Sequence, residues 1–331
     1  MIRTFLKLQY TLLVYLYSVL LFSQSTVNND FYKVVAQDGS GAYSSIQSAI
    51  NDCKSFPYEK ITIFIKKGVY KEKVVVNQWN SNLSLIGESK ENTIISFADN
   101  FKSIGLGINS TFYTSTLKIE SNDVILKNLT IENTSGDIGQ AIALSVLSDR
   151  VIVDNCLIKG NQDTLFADGK GRQYYTNCTI EGTTDFIFGN ATAYFENCEI
   201  RSKKNSFITA ASTTTDTPIG FVFESCNFTA DATPTHVYLG RPWRIYAKTV
   251  LLNCTLGKHI AAAGWDNWSK TAAEKTAFYA EFNSMGEGAT GHKRVDWSHQ
   301  LTQSQAQNYS LQTCVGTDFY DLINKELKNE K

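Results

Sequence analysis

The fold is decided by "VIVDNCLIKGNQDTLFADGKGRQYYTNCTIEGTTDFIFGNATAYFENCEI", residues 151–200. Within it a short apolar run three times ends on an Asn-Cys pair and gives way to a second β-prone run: "VDNCLIKG", "YTNCTIEG", "FENCEIRS". Outward from this stretch the phrase returns as "LKNLTIEN", "FESCNFTA" and "LLNCTLGK". The residue after the Asn or Ser falls at Leu129, Cys156, Cys178, Cys198, Cys226 and Cys254, in steps of 27, 22, 20, 28 and 28. A recurrence of that size, with strand-turn-strand content, is one unit of a stacked solenoid, and it predicts an all-β parallel β-helix. Equivalent residues of consecutive coils then lie about 4.8 Å apart. The cysteines are expected to stack as small buried hydrophobes, and Cys178 and Cys198, one coil apart, are placed where a disulfide is geometrically plausible. Asn128, Asn177, Asn227 and Asn253 begin Asn-X-Ser/Thr sequons. They are read at the turn of each unit, where asparagine bonds its own backbone.

The rest of the chain agrees with that reading. Of 331 residues, 43% are hydrophobic and 19% charged, with only four prolines. This is a folded composition, and its Thr, Asn, Ile, Val, Tyr and Phe favour strands. The net charge of −1 argues against a nucleic-acid binder. Arg3 and Lys7 precede an apolar stretch from about Thr11 to Phe22, the layout of a signal peptide over residues 1–24. A spanning helix wants roughly 20 apolar residues, more than this stretch supplies. Seven cysteines in an exported chain permit disulfides but leave one over, and without a CxxC pair no metal is expected. Ile46, Ala49, Ile50 and Cys53 fall at helical spacing behind Ser44, predicting a short N-terminal capping helix. A single domain is expected over residues 28–320, with an irregular C-terminal segment and a polar tail at 321–331.

Two aspartates inside the repeats need a reason. Asp163 precedes Leu165 and Phe166, and Asp185 precedes "FIF", both settings that strip water from a carboxylate. They are 22 residues apart, as are Gln140 and Gln162, so stacking makes neighbours of two acids and two amides. "YLGRPWRIYAK" adds Arg241, able to hold a carboxylate ionised, and Trp243, able to stack on a sugar face. Lys203, Lys204, Arg172 and Arg244 are candidates for a weakly basic rim. Taken singly, each acid could equally cap a turn or satisfy a buried pair.

"QAIAL", "GNQDTLF", "DFIFGNA", "YLGRPW" and "AGW", in this order, resemble the signature segments of pectin methylesterases. The resemblance runs from "DGSGAYSSIQSAI" to "FYAEFNSMGEGA". It implies a right-handed parallel β-helix, a substrate of methyl-esterified homogalacturonan, no cofactor, and a monomer that is secreted or periplasmic. By position it implies Asp185 as nucleophile and Asp163 as general acid and then base. Gln162 and Gln140 would hold the oxyanion, Arg241 would orient Asp185, and Trp243 and Thr111 would contact substrate. Cys178 and Cys198 also resemble a pair joined in some bacterial members. Asn161 and Thr184 stand where many members carry an aromatic and an aliphatic residue, which leaves subsite preference open.

Other readings make different demands. A Ser-His-Asp esterase would want a GxSxG elbow, and the chain has none. A calcium-dependent lyase would want an acid-x-acid pair, also missing. A non-catalytic polysaccharide-binding solenoid, or a relative turned toward acyl thioesters, remains compatible with the fold.

Overall fold

The computed structural model describes residues 30–328. The coils build three parallel sheets of 11, 8 and 7 strands, a complete coil giving one strand to each. One coil consists of Val151–Asp154, Leu157–Lys159 and Leu165–Ala167, and the next of Arg172–Thr176, Thr179–Gly182 and Ile187–Gly189. The register is in step: Val153 pairs with Tyr175, Tyr175 with Phe195, and Phe195 with Phe223. On the second sheet Ile158, Ile180, Ile200 and Phe228 align in the same way. Like sits on like inside the solenoid. The rings of Tyr175 and Phe195 stack at 4.7 Å, and those of Phe195 and Phe223 at 4.5 Å. Burying each such side chain contributes about 1.5–3 kcal/mol.

The repeated asparagine makes the corner. Asn128, Asn155, Asn177, Asn197, Asn253 and Asn283, with Ser225, all adopt the left-handed conformation at φ between 48° and 55°. Asparagine enters that region at less cost than most L residues. Its side chain also bonds along the stack: Asn155 Nδ2 donates to Asn128 Oδ1 at 2.8 Å, and Asn283 Nδ2 to Asn253 Oδ1 at 2.9 Å. Asn227 departs from the expected pattern: it opens the strand Asn227–Ala230, two residues past the left-handed Ser225.

The cysteine ladder forms, with Cys156, Cys178, Cys198, Cys226 and Cys254 all buried, but the Cys178–Cys198 disulfide does not, and all seven thiols are free. Cys178 Sγ donates to the carbonyls of Val153 and Thr176 at 3.4 and 3.2 Å, and Cys198 Sγ to those of Tyr175 and Glu196 at 3.5 and 3.4 Å. Neighbouring rungs hold Cβ atoms about 4.8 Å apart and parallel, whereas a disulfide wants about 3.8 Å. Proximity in the ladder therefore falls short of bonding geometry.

One helix closes the N-terminal end of the solenoid, and another lies along its side. Ile46–Asn51 is capped by Ser45, one residue later than the sequence suggested, and buries Ile46, Ala49 and Ile50 in the main core. The expected irregular end and polar tail at 321–331 are corrected as far as residue 328, since Thr317–Lys328 is a helix. Its Phe319 and Ile323 are buried with Ile152, Tyr174, Tyr194 and Val222, the outward-facing residues of the 11-stranded sheet. Arg172, expected on the basic rim, instead ties this helix down through Asp318, at 2.6 and 2.9 Å, and Asp149, at 2.9 and 2.7 Å. The signal-peptide reading of residues 1–24 lies outside the described residues. Among the described residues no helix is long and apolar enough to cross a membrane.

Candidate active site

Strands Leu165–Ala167 and Ile187–Gly189 pair with Leu165 opposite Ile187, which places Asp163 and Asp185 at equivalent corners of successive coils. The Asp163 N–H donates to the carbonyl of Thr184 at 3.0 Å, and that of Asp185 to the carbonyl of Phe207 at 2.8 Å. Both aspartates are left-handed, at φ 63° and 50°. That conformation turns each carboxyl out of the strand direction, and aspartate is among the residues that tolerate it. One coil earlier the Ala141 N–H donates to the Gln162 carbonyl at 3.1 Å, setting Gln140 beside Gln162.

These residues open on one cavity of about 310 Å³. It is lined by Gln140, Gln162, Asp163, Asp185, Arg241, Trp243 and Thr111, every site residue expected from the sequence apart from the cysteine pair, together with Ile108, Phe112, Phe188, Ala210 and Trp268. Arg241 Nε donates to Asp185 Oδ1 at 2.9 Å and Nη2 to Oδ2 at 2.7 Å. Its guanidinium carbon lies 3.7 Å from the ring centre of Trp268 and 3.9 Å from that of Phe207. Held between two aromatic faces, the fork has one orientation open to it. Phe112, Phe166, Phe188 and Trp243 continue as an aromatic wall, with successive ring centres 5.2, 4.6 and 5.8 Å apart.

Burial governs both carboxyls. It pushes Asp163 well above the ordinary carboxylate value, the charge of Asp185 pushes in the same direction, and Arg241 pulls back more weakly. Asp185 is also raised by burial, against the opposing pull of Arg241 and Lys270. The sequence reading has Arg241 holding Asp185 ionised. Burial outweighs it, yet the order of the two acids stands: Asp163 holds its proton more firmly. One carboxyl poised to give a proton beside one gripped by a cation is a division of labour suited to acyl chemistry.

Sequence reasoning missed Trp268, Phe207, Phe112 and Lys270. The second tryptophan of "WDNWSK" was the available signal, since Trp265 is spent in the core, stacked at 4.3 Å on Tyr279. Of the expected basic rim, Lys204 pairs with Asp137 at 2.9 Å, and Lys203 donates to Gly160 O and Asn161 Oδ1 at 2.8 and 3.2 Å.

Stacked parallel coils carrying an acid pair, two amides and an aromatic-clamped arginine in one cleft define a β-helical protein built around paired carboxyls. A sequence model of the family described as Pectinesterase matches residues 32–318, and the chain belongs to that family. It is 36% identical over 310 residues to a probable pectinesterase/pectinesterase inhibitor of Arabidopsis thaliana, covering 90% of this chain and 54% of the relative. With a pectinesterase of Petunia integrifolia it shares 36% identity over 301 residues, covering 86% of this chain and 79% of the relative. The structure of a pectin methylesterase from carrot superposes with a TM-score of 0.84 at 30% identity, covering 92% of this chain and 98% of the carrot chain. The chain spans about half the length of the first curated relatives it matches.

Proposed function

We propose that this chain is an exported, monomeric pectin methylesterase that hydrolyses the C6 methyl esters of homogalacturonan to free carboxylate and methanol, using no metal and no organic cofactor. The observation that carries the proposal is the pairing of Asp163 and Asp185 in one cleft, with Asp185 alone gripped by Arg241.

In this reading the Asp185 carboxylate attacks the C6 carbonyl carbon. The carbonyl π electrons move onto oxygen, and the oxyanion accepts N–H bonds from the side chains of Gln162 and Gln140. One such donor is worth about 3 kcal/mol. The intermediate collapses with cleavage of the C6–O bond, and Asp163 protonates the departing oxygen to give methanol. An acyl anhydride on Asp185 remains. Asp163, now ionised, takes a proton from water as the water oxygen attacks the anhydride. The uronic acid leaves and gives its proton to solvent, Asp185 regains its charge, and Asp163 keeps the proton it took from water. Trp243 and the phenylalanine wall supply apolar faces for the sugar rings.

Incubating the protein with highly methyl-esterified pectin tests the reading. Methanol should appear in step with titratable acid; an unsaturated uronide without methanol would assign the cleft to a lyase instead.

A further inference from the structure

Lys270 is a cation set among other cations. It is half-buried in the loop that carries Trp268, and among the described residues no carboxylate pairs with it. Its Nζ donates to the carbonyls of Pro242 and Trp243 at 2.8 and 3.2 Å and sits 4.1 Å from the centre of the Trp268 ring, the same ring that lies 3.7 Å from the Arg241 guanidinium carbon. Two carbonyl dipoles and an indole thus fix where this charge stands. Burial opposes the charge, Arg241 and Arg244 repel it, and Asp185 is the acid that attracts it. Coupling between two charges is reciprocal, so what Asp185 does for Lys270, Lys270 does for Asp185. The charged and titratable groups facing the two acids are Arg241, Lys270 and one another. Tyr279, on strand Phe278–Phe282, has its hydroxyl pushed well up by burial, and burial also raises Asp168, which lines the same 550 Å³ cavity as Lys270. Arg241 grips Asp185 through hydrogen bonds, and Lys270 acts on it from longer range.

We propose that Lys270 is a positioning residue of the acid cleft: held by the Pro242 and Trp243 carbonyls and the Trp268 ring, it keeps a second positive charge beside the Arg241–Asp185 pair and so favours the carboxylate form of Asp185. Its consequence for catalysis rests on the pectin methylesterase reading, in which Asp185 must be ionised to attack; the charge coupling itself does not. The sign follows directly. Burial raises the Asp185 carboxyl and Lys270 pulls it down, so removing Lys270 lets that carboxyl rise and shifts the acid limb of activity to higher pH.

Two measurements on the full chain test this, each with Lys270→Gln, which keeps a donor without the charge, Lys270→Met, which keeps the aliphatic stem, and Lys270→Arg, which keeps the charge. The first is the pH profile of kcat/KM on methyl-esterified pectin. The acid limb should move up by about half to one pH unit in Lys270→Gln and Lys270→Met, a three- to tenfold loss of rate below the limb relative to the plateau, and stay within about 0.2 unit of wild type in Lys270→Arg. A side chain that merely supports the fold would lower the plateau and leave the limb in place, and that result overturns the proposal, as does a limb shifted equally in Lys270→Arg. The second measurement needs no turnover: carbon NMR titration of the aspartate carboxyls in resting protein, the Asp185 signal being the one lost in Asp185→Asn. Asp163 and Asp185 titrate as a pair, and the lower midpoint of that pair should rise by the same amount when Lys270 loses its charge. Equal midpoints in wild type and Lys270→Gln overturn the proposal even if activity is absent. Absence of methanol from every pectin, with the midpoint still dependent on Lys270, would instead overturn the esterase reading and leave the charge coupling standing.

Discussion

Arg241 and Asp185 are 56 residues apart in the chain and meet through two parallel hydrogen bonds of 2.9 and 2.7 Å. The pair draws Asp185 toward its ionised form, against the burial that raises its carboxyl. Arg241→Lys keeps a cation but loses the fork and the stacking on Trp268 and Phe207. The expected result is a fall in kcat of about a hundredfold or more, by loss of positioning. With the opposing pull on Asp185 weakened, burial lifts its carboxyl further, and the acid limb of the kcat/KM profile moves to higher pH. A pH–rate profile of the variant measures both effects.

The two raised carboxyls set the pH dependence of the wild type. With Asp185 as the proposed nucleophile and Asp163 as the proposed acid, activity should fall below the Asp185 pKa and above the Asp163 pKa. Asp163→Asn removes the proton donor, and it should lower kcat by roughly 10²–10⁴. The steady-state profile of kcat/KM across both limbs checks the first point, and kcat of the variant the second.

The same group predicts a trade-off between stability and activity. The folded pKa of Asp163 lies above its unfolded value, so the stability linked to its proton is full below the unfolded pKa and is lost as pH rises through the folded one. Asn cannot ionise. Asp163→Asn should therefore melt higher than wild type by a few degrees at neutral pH, with the gap shrinking as the pH falls toward about 4. Calorimetric scans at several pH values read the gap directly.

Much of this architecture was legible because a β-helix writes its geometry into sequence spacing. The repeated Asn-Cys phrase recurs once per coil, since every corner needs a left-handed residue and every rung a small buried one. The 22-residue interval from Asp163 to Asp185 becomes one rung for the same reason. What spacing does not report is direction and packing off the ladder. Cys178 and Cys198 are rung neighbours, yet their parallel Cβ vectors leave them unbonded. Arg172 looked like rim charge, but it is bound to Asp318 of the C-terminal helix. That helix packs across many coils and so carries no repeat signal. Trp268 lies in a loop after the last full repeat, where no register argument reaches.

The unbonded ladder is checked by alkylation. Unfolding without reductant in iodoacetamide should modify all seven cysteines. A Cys178–Cys198 linked peptide in the digest would contradict the geometry.

In the C-terminal helix, Phe319 is fully buried against the outer face of the 11-stranded sheet. Phe319→Ala should cost about 3–5 kcal/mol. Denaturant unfolding would show a lowered midpoint, whereas a loss under about 1 kcal/mol would place the helix outside the cooperative fold.

Methanol release from highly methyl-esterified pectin by wild type and by Asp185→Asn tests the central claim most directly. Asn preserves the shape of the side chain but supplies no carboxylate to attack the ester. The account predicts rapid methanol from the wild type and a drop of at least about 10³-fold in the variant, with the fold intact by circular dichroism. A folded Asp185→Asn protein that releases methanol at the wild-type rate would contradict it.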